Sequence, residues 1–244
     1  MGIPALRAEE FRLFLESESG GSLVLPGAEE KIRKKMSILT EQVVVIITEI
    51  AKTIEANKQY LCDLDAAIGD GDHGFNMARG FDVAVKNLAE KPSETIGDAL
   101  KTTAMALISN VGGASGPLYG TLFLRAGGVA KDFKVLNLSL FNECLKEGIA
   151  GVQARGKAVL GEKTMLDVLI PVLESLEKSS AEGVLCKKAF ETALAVAQEC
   201  AEKTKEIKAT KGRASYLGDR SIGHIDPGAM SSCLIIRTIY DSIT

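Results

Sequence analysis

From Met36 onward, apolar residues return every three or four positions along almost the whole chain, and no stretch alternates apolar with polar over strand length. That spacing is the signature of amphipathic helices. Val43, Ile47, Ile50 and Ile54 form one stripe, and Met77, Phe81, Val85 and Leu88 form the next. Ile96, Leu100, Leu107 and Val111 continue it, as do Phe141, Leu145, Ile149 and Val152. Met165, Val168, Leu169, Val172, Leu173 and Leu176 make a further face, with a kink expected at Pro171. Leu185, Ala189, Leu194, Ala197 and Ala201 suggest another. The last helix is expected to start at Asp226-Pro227, an acid able to cap free N–H groups followed by an imino acid at the first helical position. The expectation is an all-α domain, an antiparallel bundle of seven or eight helices.

Residues 1–35 break the pattern with a short apolar patch, a Ser/Gly interruption and a charge run. They read either as a further helix with a linker or as a leader, and the domain body is placed at 36–244. A net charge of −3 with no basic stripe argues against nucleic-acid binding. The five cysteines are scattered and never form C-x-x-C, which fits reduced thiols better than a disulfide framework or zinc site. No apolar run is long enough to span a membrane and no signal pattern opens the chain, so a cytoplasmic protein is expected.

The glycines gather at 69–74, 112–128, 156–161 and 212–228, each group expected at a helix junction. In an antiparallel bundle every second junction falls on the same rim, so glycine-rich polar junctions can share a site. GDGDHG at 69–74 spells the dinucleotide pattern G-x-G-x-x-G, but no strand precedes it and no βαβ unit follows. Phosphate would also be repelled by Asp70 and Asp72. With Asp65, the spacing D-x-x-x-x-D-x-D offers three carboxylates that can converge on a hard divalent cation such as Mg²⁺. A bound cation would reverse the local charge and make a phosphate site. A solvated Asp/Gly turn with helix-capping acids fits the same letters.

NVGGASGPLYG, at 110–120, has few Cβ atoms to keep a ligand from the backbone, though it would also serve a tight helix connection. GKAVLGEKT, at 156–164, resembles a phosphate loop, but Glu162 displaces Lys163 and no strand precedes it. KGRASYLGDRSIGHIDPG brings Arg213, Arg220, His224 and Asp226, where arginine could hold phosphate or simply pair with Asp219 or Asp226. His73 reads as a positioning group beside the carboxylates rather than a general base. No nucleophile–base arrangement stands out, so no catalytic residue is assigned, and metal plus phosphate-binding junctions point to phosphoryl transfer.

DLDAAIGDGDHGFNMARG, NVGGASGPLYGT, RGKAVLGEKTM and KGRASYLGDRSIGHIDPGA together resemble four signature segments of the L subunits of bacterial dihydroxyacetone kinases. The likeness runs from about Met36 to the C-terminus. It implies an eight-helix antiparallel barrel with a nucleotide at one rim. It also implies two Mg²⁺ ions on Asp65, Asp70 and Asp72, bridging to the phosphates of ADP (or ATP). By motif position, the implied nucleotide contacts are His73, Gly74, Phe75, Asn76, Ala114, Ser115, Gly156, Met165, Arg213, Asp226, Pro227 and Gly228. The implied partners are a K subunit holding dihydroxyacetone covalently and an M phosphocarrier that rephosphorylates ADP in place, with a second copy of the chain as homodimer. A kinase subunit for a related ketose such as erythrulose, or a nucleotide-sensing regulator bound to a transcription factor, fits the same motifs.

Overall fold

The computed structural model describes residues 37–243, so the expectations for residues 1–35 lie outside the described residues. Eight α-helices account for most of that span. They are α1 (Thr40–Ile68), α2 (His73–Glu90), α3 (Ile96–Asn110), α4 (Ser115–Val129), α5 (Leu138–Gly156), α6 (Leu166–Ala181), α7 (Cys186–Lys203) and α8 (Pro227–Ile243). A two-residue antiparallel pair, β1 (Ile38–Leu39) with β2 (Val135–Leu136), ties the segment before α1 to the α4–α5 connection. Among the described residues, no helix is long and apolar enough to cross a membrane.

Each helix packs on the next in sequence, and α8 returns to pack on α1, so the bundle closes into a ring. Thr238 of α8 donates to the Thr53 hydroxyl of α1 at 2.9 Å across that closing seam. The core follows the predicted stripes. Ile54, Met77, Phe81, Leu107, Val168 and Leu176 are all buried, and Phe81 meets Phe123 edge-on at 6.0 Å. On α7 the expected face shifts. Leu185 is exposed at the helix start and Leu194 half-buried, whereas Ala189, Phe190, Ala193, Ala197 and Ala201 carry the packing. Small side chains let α7 lie close, and Phe190 fills the gap against Phe141 at 5.0 Å between ring centres. The helix expected to kink at Pro171 runs through it as a single α6.

One junction is a helix instead. Residues 115–129, expected to be part of a glycine-rich connection, form α4. Its glycines serve close packing. A Cβ on Gly120 would sit 2.3 Å from the Ile108 side chain of α3, and one on Gly116 would sit 2.3 Å from the Val111 carbonyl. From α5, a Cβ on Gly148 would fall 2.7 Å from Leu122. The connection proper shrinks to 111–114.

Helix ends are set by local chemistry. Thr95 caps α3 in a reciprocal box with Asp98, at 3.1 Å in both directions, and Asn137 accepts from the Leu140 N–H at the start of α5. α8 starts at Pro227 as its sequence predicts, with Asp226 accepting from the Ala229 N–H at 2.7 Å. Because the helices alternate in direction, the connections at 69–72, 111–114, 157–165 and 204–226 share one rim.

Candidate nucleotide and metal site

Those four connections enclose a cavity of about 390 Å³, within the range of small-molecule sites. Asp65, Asp70 and Asp72 stand on its wall, each offering a carboxylate oxygen within 4.8 Å of the others. Asp65 is not on the loop. It projects from the last turn of α1, while Asp70 lies in the turn and Asp72 is the residue before α2. The turn brings them together because Gly71 adopts φ +76°. Gly69 leaves room for the Asp65 carboxylate, one of whose oxygens a Cβ there would displace. Asp65 also accepts from the Asp72 and His73 N–H groups at 3.0 and 3.2 Å, which fixes it against the start of α2.

An all-oxygen, three-carboxylate set matches a hard cation such as Mg²⁺ better than a soft one. The only counter-charge in direct contact with these acids, among the described residues, is Arg213, whose guanidinium pairs with Asp70 at 2.5 Å. Asp219, the alternative partner considered for arginine, pairs with Lys208 instead, and Arg220 is exposed away from the cavity.

One helix N-terminus opens onto the cavity without a side-chain cap, that of α4 after Ala114, whereas Asp65 closes the start of α2 by taking its N–H groups. The first-turn N–H groups and positive dipole end of α4 suit anionic oxygens. Gly112, Gly113, Ala114 and Ser115 line this wall, and Gly113 at φ +65° keeps the approach open. A third helix start, at Asp226, Pro227 and Gly228, faces them together with Gly156 and Met165. A Cβ on Gly228 would lie 3.0 Å from an Asp226 carboxylate oxygen.

Of the twelve expected nucleotide contacts, Gly74, Phe75 and Asn76 are not on the cavity wall. Once α2 begins, its turn carries them away. Gly74 abuts the Lys58 carbonyl of α1, where a Cβ would collide, and exposed Phe75 sits under the Lys58 ammonium at 5.6 Å. Asn76 is buried and accepts from the Arg79 guanidinium at 2.7 Å. His73, Ala114, Ser115, Gly156, Met165, Arg213, Asp226, Pro227 and Gly228 all line the cavity.

His73 is buried, with Nδ1 2.8 Å from the Ser115 hydroxyl and Nε2 2.9 Å from the Ser231 hydroxyl. Burial drives its pKa down to about 4 against a smaller opposing pull from Asp72, so the ring is neutral. Asp226 is shifted the other way. Burial of its carboxyl, with Asp167 and Asp65 nearby, pushes it up to about 7, and the Ala229 N–H and Lys163 only partly offset this.

Four groups on or behind this wall have roles that no sequence motif marked. Lys163, read as the lysine of a failed phosphate loop, is almost wholly buried, and its ammonium donates to the Thr204 carbonyl at 2.6 Å and to the His224 carbonyl. Burial lowers its pKa. The inserted Glu162 staples the 157–165 connection to the 204–226 one, accepting from the Val159 N–H and the Thr210 hydroxyl at 2.8 Å each. Tyr119 reaches the Gly228 carbonyl and the hydroxyls of Ser231 and Ser232 at 3.0, 2.7 and 2.8 Å. Asp167 accepts from the Gly161 and Thr164 N–H groups at 2.6 Å each. His224 is exposed and joins this network only through its backbone.

The DAK2 domain family matches residues 67–241 of the chain. The chain is 44% identical over 204 residues to the ADP-binding subunit DhaL of the PEP-dependent dihydroxyacetone kinase of Escherichia coli (strain K12), covering 84% of this chain and 97% of that protein. It is 46% identical over 196 residues to an ADP-binding subunit DhaL of Listeria innocua, covering 80% and 93%. Among solved structures it is similar to the dihydroxyacetone kinase from C. freundii in complex with AMP-PNP and Mg²⁺, at TM-score 0.64 and 26% identity. That alignment takes in 82% of this chain and 33% of the other, so this chain spans about a third of that kinase.

Proposed function

This chain belongs to the DAK2 domain family, and we propose that it is the ADP- and Mg²⁺-binding subunit of a PEP-dependent dihydroxyacetone kinase. The observation that carries this reading is the meeting of three carboxylates and the uncapped N-terminus of α4 on one cavity wall. Alone, the acids would repel phosphate and the helix start would bind any anion. Together they suit a polyphosphate that arrives with its cations.

Asp65, Asp70 and Asp72 hold the Mg²⁺, two ions in this reading, and Asp65 is kept in place by the α2 N–H groups that it accepts. The first turn of α4 would hold phosphate oxygens, and Arg213 would turn from Asp70 to phosphate once cations neutralise the acid. Met165, Gly156 and the Asp226–Gly228 start of α8 border the remaining space. Bound nucleotide supplies the phosphoanhydride chemistry through which a phosphoryl group passes from donor to ketose. This chain's residues position and neutralise charge, and none of them serves as nucleophile or general base. The partners are a kinase subunit that carries the ketose and an M-type phosphocarrier that recharges the nucleotide.

The test uses the full chain. Purified protein releases ADP and Mg²⁺ on denaturation, or binds them when both are added, and absence of binding in either form sinks the reading. Asp70→Ala is expected to lose nucleotide retention, because one ligand fewer leaves the phosphates under-neutralised. An unchanged ADP content in that variant would remove Asp70 from the site. Mixing the chain with K-type and M-type partners, with either phosphocarrier or ATP as donor, then identifies the donor by formation of the ketose phosphate.

A further inference from the structure

Five side chains form an unbroken hydrogen-bonded chain from the cavity into the barrel. It runs from the Ser115 hydroxyl to His73 Nδ1, from His73 Nε2 to Ser231, from Ser231 to Tyr119, and from Tyr119 to the Gly228 carbonyl, with Ser232 on Tyr119 as a branch. His73, Tyr119, Ser231 and Ser232 are buried, so these groups satisfy their hydrogen bonds on one another. Each hydroxyl has one proton to give and a neutral imidazole has one N–H.

The Gly228 carbonyl has no proton and can only accept, which gives the chain a direction. It takes a proton from Tyr119 at 3.0 Å or from Ser231 at 3.1 Å. If Tyr119 donates to the carbonyl, the short 2.7 Å contact between the two hydroxyls requires Ser231 to donate to Tyr119. If Ser231 donates to the carbonyl instead, its proton is equally spent. In both arrangements Ser231 must accept from His73, so the proton sits on Nε2. Nδ1 is then a bare acceptor and takes the Ser115 proton. The reverse direction would give the Gly228 carbonyl neither hydroxyl proton and set its oxygen against those of both Tyr119 and Ser231, whereas each forward arrangement leaves only one such pair.

We propose that Ser231 is a positioning residue whose hydrogen bond holds His73 in the Nε2–H form, so that Ser115 gives its proton inward and meets a ligand with lone pairs only. Ser115 is therefore an acceptor in the cavity. It receives a nucleotide hydroxyl or a cation-bound water and does not donate to a phosphate oxygen, a role left to the backbone N–H groups of α4. The ligand class rests on the nucleotide reading above, whereas the direction of the chain stands without it.

Nitrogen-15 NMR of histidine-labelled full-length protein, free of nucleotide and near neutral pH, reads the tautomer directly. The chain has two histidines, and His224→Gln assigns the remaining signal. The expected result is the Nε2–H tautomer at His73 in wild type and its loss in Ser231→Ala. Tyr119→Phe should retain it, because Ser231 still reaches the Gly228 carbonyl. An Nδ1–H tautomer in wild type overturns the direction of the chain, and it does so even if Ser231→Ala fails to fold. An unchanged tautomer in Ser231→Ala overturns the role of Ser231. Titration with ADP and Mg²⁺ supplies a second reading, with Ser231→Ala binding about five- to tenfold more weakly than wild type. If wild type binds no ADP, the nucleotide reading fails while the spectra still decide this one. If wild type binds and Ser231→Ala binds equally well, the positioning role fails alone.

Discussion

Asp226 shows how a single residue here answers to two demands. Its carboxyl caps α8 and borders the cavity, yet burial raises its pKa from 3.8 to about 7. A raised carboxylate pKa means that the neutral form is favoured in the fold. The associated stability is fully present below the unfolded value, near pH 4, and is lost as pH rises through 7. A shift of that size corresponds to on the order of 4 kcal/mol. Asp226→Asn keeps an acceptor for the Ala229 N–H and cannot ionise. In urea melts of nucleotide-free protein, it should exceed wild type in stability at pH 8, with the gap closing towards pH 4.5. A gap independent of pH would show that ionisation of Asp226 costs the fold nothing. The acid was legible in the sequence as a cap ahead of Pro227. Its environment was not, because Lys163 and Asp167 reach it only through tertiary packing. The same holds for Ser231 and Tyr119, whose roles exist only where residues more than a hundred positions apart meet.

At the level of elements, six of the eight helices could be read from their apolar period and α8 from its Asp226-Pro227 start, and α4 could not be read at all. Its Gly116, Gly120 and Gly127 look like turn residues in a single sequence. In the fold they are contact residues that let α4 approach α3 more closely than a Cβ permits. The β1–β2 pair, two residues on each side, is below the length at which alternation can be seen. The close approach predicts a specific sensitivity. A Cβ on Gly97, at the start of α3, would lie 2.4 Å from the Lys131 Cα, a backbone atom that no rotamer change can clear. Gly97→Ala should therefore destabilise by about 1–3 kcal/mol through overpacking, although alanine is the better helix former. Thermal melts would show a Tm lower by several degrees. Gly128→Ala, on the open side of α4 with nothing within 4 Å of the added atom, should match or exceed wild type. Equal behaviour of the two variants would contradict close packing as the reason for glycine at 97.

For the molecule as a whole, the site belongs to the ring rather than to any one helix. The acids come from α1 and the turn into α2, the anion-binding N–H groups from α4, and the facing wall from the starts of α6 and α8. A ligand that spans them binds only the closed barrel, so it stabilises the fold by mass action. Mg²⁺ with ADP at a hundred times its dissociation constant should add about 2.7 kcal/mol and raise Tm by several degrees. EDTA should reverse the shift, and a Tm indifferent to both additions would separate the cavity from nucleotide binding. The closing seam between α8 and α1 has another consequence. α1 arrives at the cavity rim and α8 departs from it, so the start of one and the end of the other lie side by side at the opposite rim. A short linker joining them, with new ends opened at 182–185, would give a circular permutant whose backbone breaks all lie away from the cavity mouth. Chain order would then be a free variable of this barrel, and only the cyclic order of its helices would be required for binding.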